Sequence, residues 1–429
     1  MSVGKQFAKY VSQNILGMLG ISFYILADTF FISLAEGANG ITALNLVLPL
    51  YSLIFAIGAM MGVGSAIRFK ILRAKKDESA DTYFSNAVVF ALVFGAVFMI
   101  LGGLFPEQIV KVLGGDEEII RVGAPYTRIF MLFAPCFMWN HICNAFVRND
   151  GAPSVAMAAT LFSSLFNVVM DYVLMFPLGL GMAGAALATA ISPIIGILIC
   201  CVHFFSGKST IRFRLAVPYV KKLMQSCQLG VSAFVGEISS GVTTIVFNML
   251  ILGLAGNVGV AAYGVVANTS LVAVSVFNGV SQGSQPLISE YYGKGERNAV
   301  RKLLSMGILT SLTLAIGMII AVYFLAGGIV AIFNSEQDAT LAAYGIAGMK
   351  LYFSGFLFAG INIVGTGFLS AVESARMAFV ASILRGFVAI ILCAILLAWL
   401  FGMTGVWLAF PAAELITVIV TGVALRKAV

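Results

Sequence analysis

Long stretches of the chain are apolar on every helical face and are interrupted at intervals by short polar clusters. A helix needs about 20 mostly apolar residues to cross a bilayer. Twelve stretches meet that length: 10–34, 41–66, 83–104, 122–147, 153–176, 180–204, 226–254, 258–287, 303–326, 341–369, 376–400 and 403–425. Glycine and proline mark several of their boundaries, at Pro106, Gly151-Ala152-Pro153, Pro177-Leu178-Gly179 and Gly402. The segment from Met1 to Lys9 runs into the first apolar stretch without an obvious cleavage site, so it reads as the start of the first span. The pattern predicts an all-α membrane protein with twelve transmembrane helices.

The polar clusters carry a charge bias that sets orientation. Lys5 and Lys9 precede the first span, Arg68, Lys70, Arg73, Lys75 and Lys76 follow the second, and Arg148 follows the fourth. Lys208, Arg212, Arg214, Lys221 and Lys222 follow the sixth, and Lys294, Arg297, Arg301 and Lys302 follow the eighth. With Arg376, Arg426 and Lys427, twenty of the twenty-five Lys and Arg residues fall on one side. The opposite loops hold Glu36, Asp116, Glu117, Glu118, Glu336 and Asp338. Both termini are expected in the cytoplasm, and the chain in a plasma membrane, the inner membrane of a cell that has two.

The pattern also repeats. Gly181-Met182-Ala183-Gly184 returns as Gly402-Met403-Thr404-Gly405, and Gly58 and Gly62 return as Gly279 and Gly283, both at an offset of 221. Ile109-Val110-Lys111-Val112 before Asp116 returns as Ile329-Val330-Ala331-Ile332 before Glu336, at an offset of 220. Six spans per repeat leave both halves the same way up, which predicts two parallel lobes related by a pseudo-twofold axis along the membrane normal. The expected division is an N-terminal lobe over 1–204, a cytoplasmic amphipathic linker over 205–225, and a C-terminal lobe over 226–429. In the linker Phe205, Phe213 and Leu215 alternate with basic residues, which suits an interfacial segment as well as a plain loop.

Composition narrows the class. Of 429 residues, 60% are hydrophobic and only 10% charged, and the mean hydropathy is +1.03. The net charge of +7 reflects cytoplasmic loops and gives no reason to expect nucleic acid. All six cysteines fall in apolar spans, which excludes a disulfide framework and offers no metal spacing. No nucleotide loop, catalytic triad or metal motif stands in a credible context, so the protein is expected to be no enzyme, to need no cofactor and to draw on an energy source other than ATP.

Four acids lie inside spans: Asp28, Asp171, Glu237 and Glu414. A carboxylate at membrane depth costs about 2.5–3.5 kcal/mol on insertion scales, so each marks a candidate function. Asp28 and Asp171 both lie toward the outer ends of their spans, at one depth. Asn167 lies four residues before Asp171 on the same helical face, and Thr189 follows on the next span. At an offset of 221 Asp171 becomes Leu392, and at the local offset of 219 Asp28 becomes Phe247, beside Asn248. A scaffold role would require both halves to keep the acids, so the asymmetry points to one cation site in the N-terminal lobe. Two close carboxylates in low dielectric retain a proton between them. Alternatively Asp28, Asn167, Asp171 and Thr189 offer four hard oxygen ligands for Na⁺. Both ions stay open.

Glu237 starts about two turns into the seventh span and Glu414 lies deeper in the twelfth. Each suits a cationic substrate, or a structural pairing with Arg385 or Lys350. His141 and His203 stand isolated. The 18 Met and 34 Phe suit promiscuous binding of apolar cations, although such residues also face lipid.

Taken together, these residues resemble the multidrug and toxic compound extrusion family. The likeness rests on Ala27-Asp28-Thr29, on Asn167-xxx-Asp171 with Gly181-xx-Gly184-Ala185-Ala186 and Thr189, on Gln282-Gly283-Ser284-Gln285-Pro286 ahead of Gly293-Lys294-Gly295, and on Phe146-Val147-Arg148-Asn149-Asp150-Gly151. The resemblance implies export of organic cations and drugs in exchange for H⁺ or Na⁺. It implies a cation site of the DinF-like pattern at Asp28, Asn167, Asp171 and Thr189, joined by Tyr126 and by Asn140 and Asn144 as matches to a fourth-span asparagine. Glu237 matches a seventh-span acid of the NorM-like branch. Asn248, Gln282, Gln285, Asn362 and Glu414 complete the candidate substrate-side residues. The tenth-span acid of that branch is missing here, with Asn362 the nearest polar residue, and the first span lacks a proline at which some relatives bend. The competing readings are a lipid-linked oligosaccharide flippase of the same superfamily, which calls for a cationic cavity, and a non-transporting membrane receptor or scaffold. The expected partners are small amphipathic or cationic molecules and the bilayer, and the expected state is a monomer.

Overall fold

The computed structural model describes residues 2–214, 218–334 and 337–428, the side chain of Ala38 excepted. Leu215 of the linker and the loop acid Glu336 lie outside the described residues. Every regular element among the described residues is helical. Val3–Ala74 is one helical run broken at Gly37, where φ is 59° and ψ −142°. Residues with a Cβ rarely adopt that left-handed geometry, so glycine is what lets the chain reverse there. The 74-residue helix Val220–Gly293 breaks in the same way at Gly256 (φ 63°), and the last helical run, Ala375–Ala428, breaks at Gly402 (φ 59°). Between these lie Ala80–Leu104, Pro153–Met175, Gly181–Phe204 and Arg297–Phe333. Two further spans are bent pairs, Glu117–Leu132 with Ala134–Asn149 at 48° and Ala339–Phe353 with Phe356–Ala371 at 46°. Divided at the three glycines, with each bent pair taken as one crossing, the described residues make twelve spans, six before the linker and six after it.

The breaks repeat where the sequence repeats. Gly37 and Gly256 are 219 residues apart, and Gly181 (φ 49°) and Gly402 are 221 apart. The bends after Leu132 and Phe353 are again 221 apart. The fourth and tenth spans, expected over 122–147 and 341–369, are bent. Pro135 explains the first bend, because it lacks an N–H and crowds the preceding turn. The second occurs at Ser354-Gly355 without a proline. A short helix, Pro106–Val112, and a π-helical turn, Leu384–Ala389, were not foreseen. Outward-facing side chains such as Trp399 and Phe324, 80% and 78% exposed, suit acyl chains as their solvent.

The chain divides into two compact units. The first comprises Ser12–Ile238 and Ser289–Gly295; the second comprises Met1–Val11, Ser239–Ile288 and Glu296–Val429. Each has its own apolar core, around Phe69, Tyr126 and Phe146 in the first and around Phe277, Phe356 and Trp407 in the second. The units differ from the expected lobes at helix ends, where close crossings reassign a few turns. Within the second unit a Cβ on Gly283 would lie 2.8 Å from the Val11 Cα. Within the first, a Cβ on Gly64 would lie 1.8 Å from the Ser226 carbonyl oxygen.

The described residues 207–214 and 218–219 of the linker have no regular helix and lie as a strap across one end of the first unit. Asp150 anchors it. Its carboxylate accepts from the Thr210 N–H (2.9 Å), the Thr210 hydroxyl and the Ser209 hydroxyl (3.2 Å), and meets His203 Nε2 at 2.8 Å. Arg73 bridges Asp81 Oδ1 (2.6 Å) and the Thr210 carbonyl (2.5 Å). Asn86 exchanges two hydrogen bonds with the Tyr219 backbone, and Ser85 Oγ accepts from the Arg214 N–H at 2.8 Å. His203 is therefore paired and not isolated. Lys208 on this strap is exposed. A cysteine introduced there into a cysteine-free variant is expected to react with a membrane-impermeant maleimide only after the cells are permeabilised. Labelling of intact cells would invert the topology.

Candidate cation site

The site starts from the Gly37 break. Glu36, just before it, accepts a hydrogen bond from the Met182 N–H at 3.1 Å, which ties the end of the first span to the start of the sixth. Counting back eight residues from Glu36 reaches Asp28, about 12 Å down its helix; counting on seven from Met182 reaches Thr189, about 10 Å down its own. Asp171 lies four residues before the end of the fifth span at Met175. One short end-to-end tether thus sets three polar side chains at a common depth.

They meet there. The Asp28 and Asp171 carboxylates are within hydrogen-bonding reach of each other. With the Asn167 amide oriented to satisfy both neighbours, its Nδ2 donates to Asp171 Oδ2 at 3.2 Å and its Oδ1 accepts from the Thr189 N–H and hydroxyl, each at 3.3 Å. Asn167 and Asp171 are fully buried, Thr189 nearly so, and Asp28 is 9% exposed. Oδ1 of Asp28 and Oδ1 of Asp171 have no hydrogen-bond partner among the described residues. A buried, unpartnered carboxylate oxygen is unfavourable unless a proton or cation meets it. The donor set is all oxygen and hard, which fits Na⁺ as well as H⁺.

Aromatic side chains wall the site. Tyr126 is buried close to both acids. Its ring is parallel to Phe130 at 6.3 Å, and Phe130 stacks on Tyr51 at 4.6 Å. The Tyr51 hydroxyl meets that of Tyr24 at 3.2 Å. Tyr24 and Tyr51 were missed from sequence, though Tyr24 stands four residues before Asp28 and shares its helical face. Asn144 and Asn140 lie elsewhere. Asn144 donates to the Ala156 carbonyl (3.0 Å) and the Thr160 hydroxyl (2.9 Å), and accepts from Arg148. Asn140 presses its Oδ1 against Gly196, two turns beyond Thr189. His141 is not free either: its ring packs edge-on against Phe55 at 5.0 Å.

The second unit has no counterpart to the acid pair. Phe247 is fully buried and stacks on Tyr263 at 5.3 Å, while Leu392 is 62% exposed. Its buried acid, Glu414, pairs with Arg385 Nε at 2.7 Å and accepts from Asn362 Nδ2 at 2.7 Å. Lys350 is not the partner, because its ammonium lies 4.5 Å from the Tyr323 ring centroid. Glu414 and Asn362, 3% and 0% exposed, thus leave a substrate almost no surface to touch. Of the candidate substrate residues, Glu237 belongs to the first unit and the other five to the second. Asn248 and Gln282 are half-buried, and Gln285 is buried with its Oε1 unpartnered among the described residues. Glu237 is exposed and stands seventeen residues into a helix that starts at Val220, not two turns into it. That is nearly five turns, about 25 Å along the helix.

A family model, MatE, matches residues 14–173 and 233–395, about three-quarters of the chain in two stretches whose starts are 219 residues apart. The chain belongs to the MatE family. The offset of the two matched stretches is the offset of Gly37 and Gly256. Among curated relatives, the multidrug export protein MepA of Staphylococcus aureus (strain MSSA476) is 29% identical over 394 residues, 91% of this chain and 86% of that protein. MepA of Staphylococcus saprophyticus is 27% identical over 418 residues, 97% and 92% of the two chains. Among solved structures, an outward-facing multidrug resistance MATE transporter of the MOP superfamily superposes with a TM-score of 0.93 at 19% identity, covering 100% of this chain and 96% of that one. A MOP superfamily transporter from Pyrococcus furiosus, described by the reverse polarity of its binding pocket, gives 0.91 at 19% identity with the same coverage. At such identities the likeness concerns the fold. As a MatE protein the chain is a multi-pass membrane transporter and not an enzyme.

Proposed function

We propose that this MatE protein is a secondary antiporter that exports amphipathic and cationic compounds in exchange for H⁺ or Na⁺, with the ion held at Asp28, Asn167, Asp171 and Thr189. The observation that carries the reading is the buried acid pair with two unpartnered oxygens, present in one unit and replaced by Phe247 and Leu392 in the other. The substrate class rests on the multidrug export relatives. In the mechanism, the two six-span lobes rock between inward- and outward-open states. An ion can bias that equilibrium only through a difference in affinity between the states. Protonation or Na⁺ binding removes the repulsion between Asp28 and Asp171, lets spans one, five and six draw together, and so favours the state that releases substrate outside. The protein acts as a monomer in the plasma membrane with both termini in the cytoplasm.

A flippase for lipid-linked oligosaccharides needs cationic side chains to hold phosphate. Here Arg385 is neutralised by Glu414, and Arg148 is only 2% exposed. The test is drug efflux from proteoliposomes under separately imposed H⁺ and Na⁺ gradients. Export driven by neither ion rejects the antiport reading. In the same assay Glu237→Gln is expected to change the ratio of cationic to neutral substrate uptake by about tenfold, the size of one charge-assisted contact of about 1.5 kcal/mol, while ion-driven exchange of neutral drugs persists. Loss of exchange for every substrate would place Glu237 in the coupling site instead.

A further inference from the structure

The second unit buries a carboxylate as deeply as the first but already supplies it with a cation. Glu414 Oε1 takes Arg385 Nε at 2.7 Å, and Oε2 takes Asn362 Nδ2 at 2.7 Å; the same Nδ2 reaches the Glu414 carbonyl at 2.9 Å. Asn362 is fully buried, and its Oδ1 has no partner among the described residues. A carboxylate beside a buried side-chain amide is the same donor chemistry as Asp171 beside Asn167. Here its positive partner is tethered. Arg385 is delivered by the π-helical turn Leu384–Ala389, the only such turn among the described residues. One extra residue per turn re-aims the side chains that follow, and such turns gather at functional positions. The duplication supplies the comparison. At the offset of 221, Asn362, Arg385 and Glu414 correspond to His141, Ser164 and Pro193. The first half therefore has neither a carboxylate nor a guanidinium at these positions, and the second half has neither acid of the Asp28–Asp171 pair.

We propose that the Arg385 guanidinium is a resident cation: it occupies, beside Glu414 and Asn362, the position that a mobile coupling ion would otherwise take, so the second unit contributes no ion to the exchange. A guanidinium stays charged throughout the physiological range and cannot leave. Tethering gives it an effective concentration that dilute Na⁺ or H⁺ cannot match. The exchange stoichiometry is then set by the first unit alone, which rests on the antiport reading above.

The experiment counts cations on the purified full-length protein, with radioactive Na⁺ binding and potentiometric proton uptake as paired readouts. It starts from the Asp28→Asn/Asp171→Asn variant. Adding Arg385→Gln is expected to create one new site per chain, filled by Na⁺ or a proton, and adding Glu414→Gln as well is expected to remove it. Arg385→Lys, which keeps a tethered charge, creates none. The readout is the increment caused by Arg385→Gln, so it holds whichever residues carry the coupling ion. No increment in a monodisperse variant of native helical content overturns the proposal. A second measurement covers the case in which that variant does not fold. Arg385→Gln/Glu414→Gln in the otherwise unaltered protein removes both charges together and should bind the same number of cations as the unaltered chain. A count lower by one would show that the pair is itself an ion site, and would overturn the proposal too.

Discussion

Ion-driven export is expected to fall to background in Asp28→Asn and in Asp171→Asn, with the protein still folded and monodisperse. Each substitution keeps the shape of the side chain and removes one titratable, charge-bearing oxygen pair. Moving a two-state equilibrium from 1:99 to 99:1 takes a differential affinity of about 10⁴, about 5.5 kcal/mol. In this site only the two carboxylates offer an ion that much. Asn167 and Thr189 are neutral and already bond to each other. Stability should be unchanged or raised, since burying a charge is costly and an amide avoids that cost. Thr189→Ala should weaken Na⁺-driven more than H⁺-driven exchange, because it removes an oxygen ligand and no titratable group. The measurements are proteoliposome efflux under each gradient and melting of the purified protein. Uphill export by the Asp28→Asn/Asp171→Asn variant, under either gradient, would move the coupling site elsewhere.

The second large effect is expected from one methyl group. A Cβ at Gly64 would lie 1.8 Å from the Ser226 carbonyl oxygen, and one at Gly230 would lie 1.9 Å from the Met60 carbonyl oxygen. Both obstacles are backbone atoms inside helices, so the second and seventh spans must separate by more than an ångström to admit it. Overpacking of this kind costs about 1–3 kcal/mol, occasionally more. Gly64→Ala and Gly230→Ala are therefore expected to lower the melting temperature and to slow export about tenfold or more, at tenfold per 1.4 kcal/mol. Gly236→Ala serves as the control, because nothing lies within 4 Å of its added Cβ and the methyl favours helix. Native export and melting in Gly64→Ala would mean that the two spans need not pack this closely.

Much of the fold was legible because bilayers impose a length. Hydropathy located the spans, and Gly402 marked one of the three glycine breaks that divide them. The cluster of Asp28, Asn167, Asp171 and Thr189 was legible for a related reason: polar groups in a lipid-length apolar run stand out, and a duplicated chain shows which half keeps them. Local conformations were less legible. The bend at Ser354-Gly355 and the π-helical turn at Arg385 leave little trace in hydropathy, since both continue an apolar run. Pairing was least legible. Glu414 had two bases to choose from, and His203 found Asp150 only once the fourth-to-fifth turn met the end of the sixth span. Asn140 and Asn144 matched a pattern by type, but their position along the helix turns them toward Gly196 and Thr160.

The strap formed by residues 207–214 and 218–219 bears on how a duplicated gene becomes one chain. Its anchors are Asp81, Ser85, Asn86 and Asp150, all in the first half. The turn that carries Asp150 has its positive φ at Gly151, and the matching turn of the second half has it at Glu373, which aligns Asp150 with Val372. Asn86, at the offset of 221, aligns with Gly307. The second half kept the helices of its twin without these fittings for a connector. The halves have thus lost their interchangeability. A chain made of two first halves would have a dock for its connector, whereas a chain made of two second halves would have a loose joint at its middle.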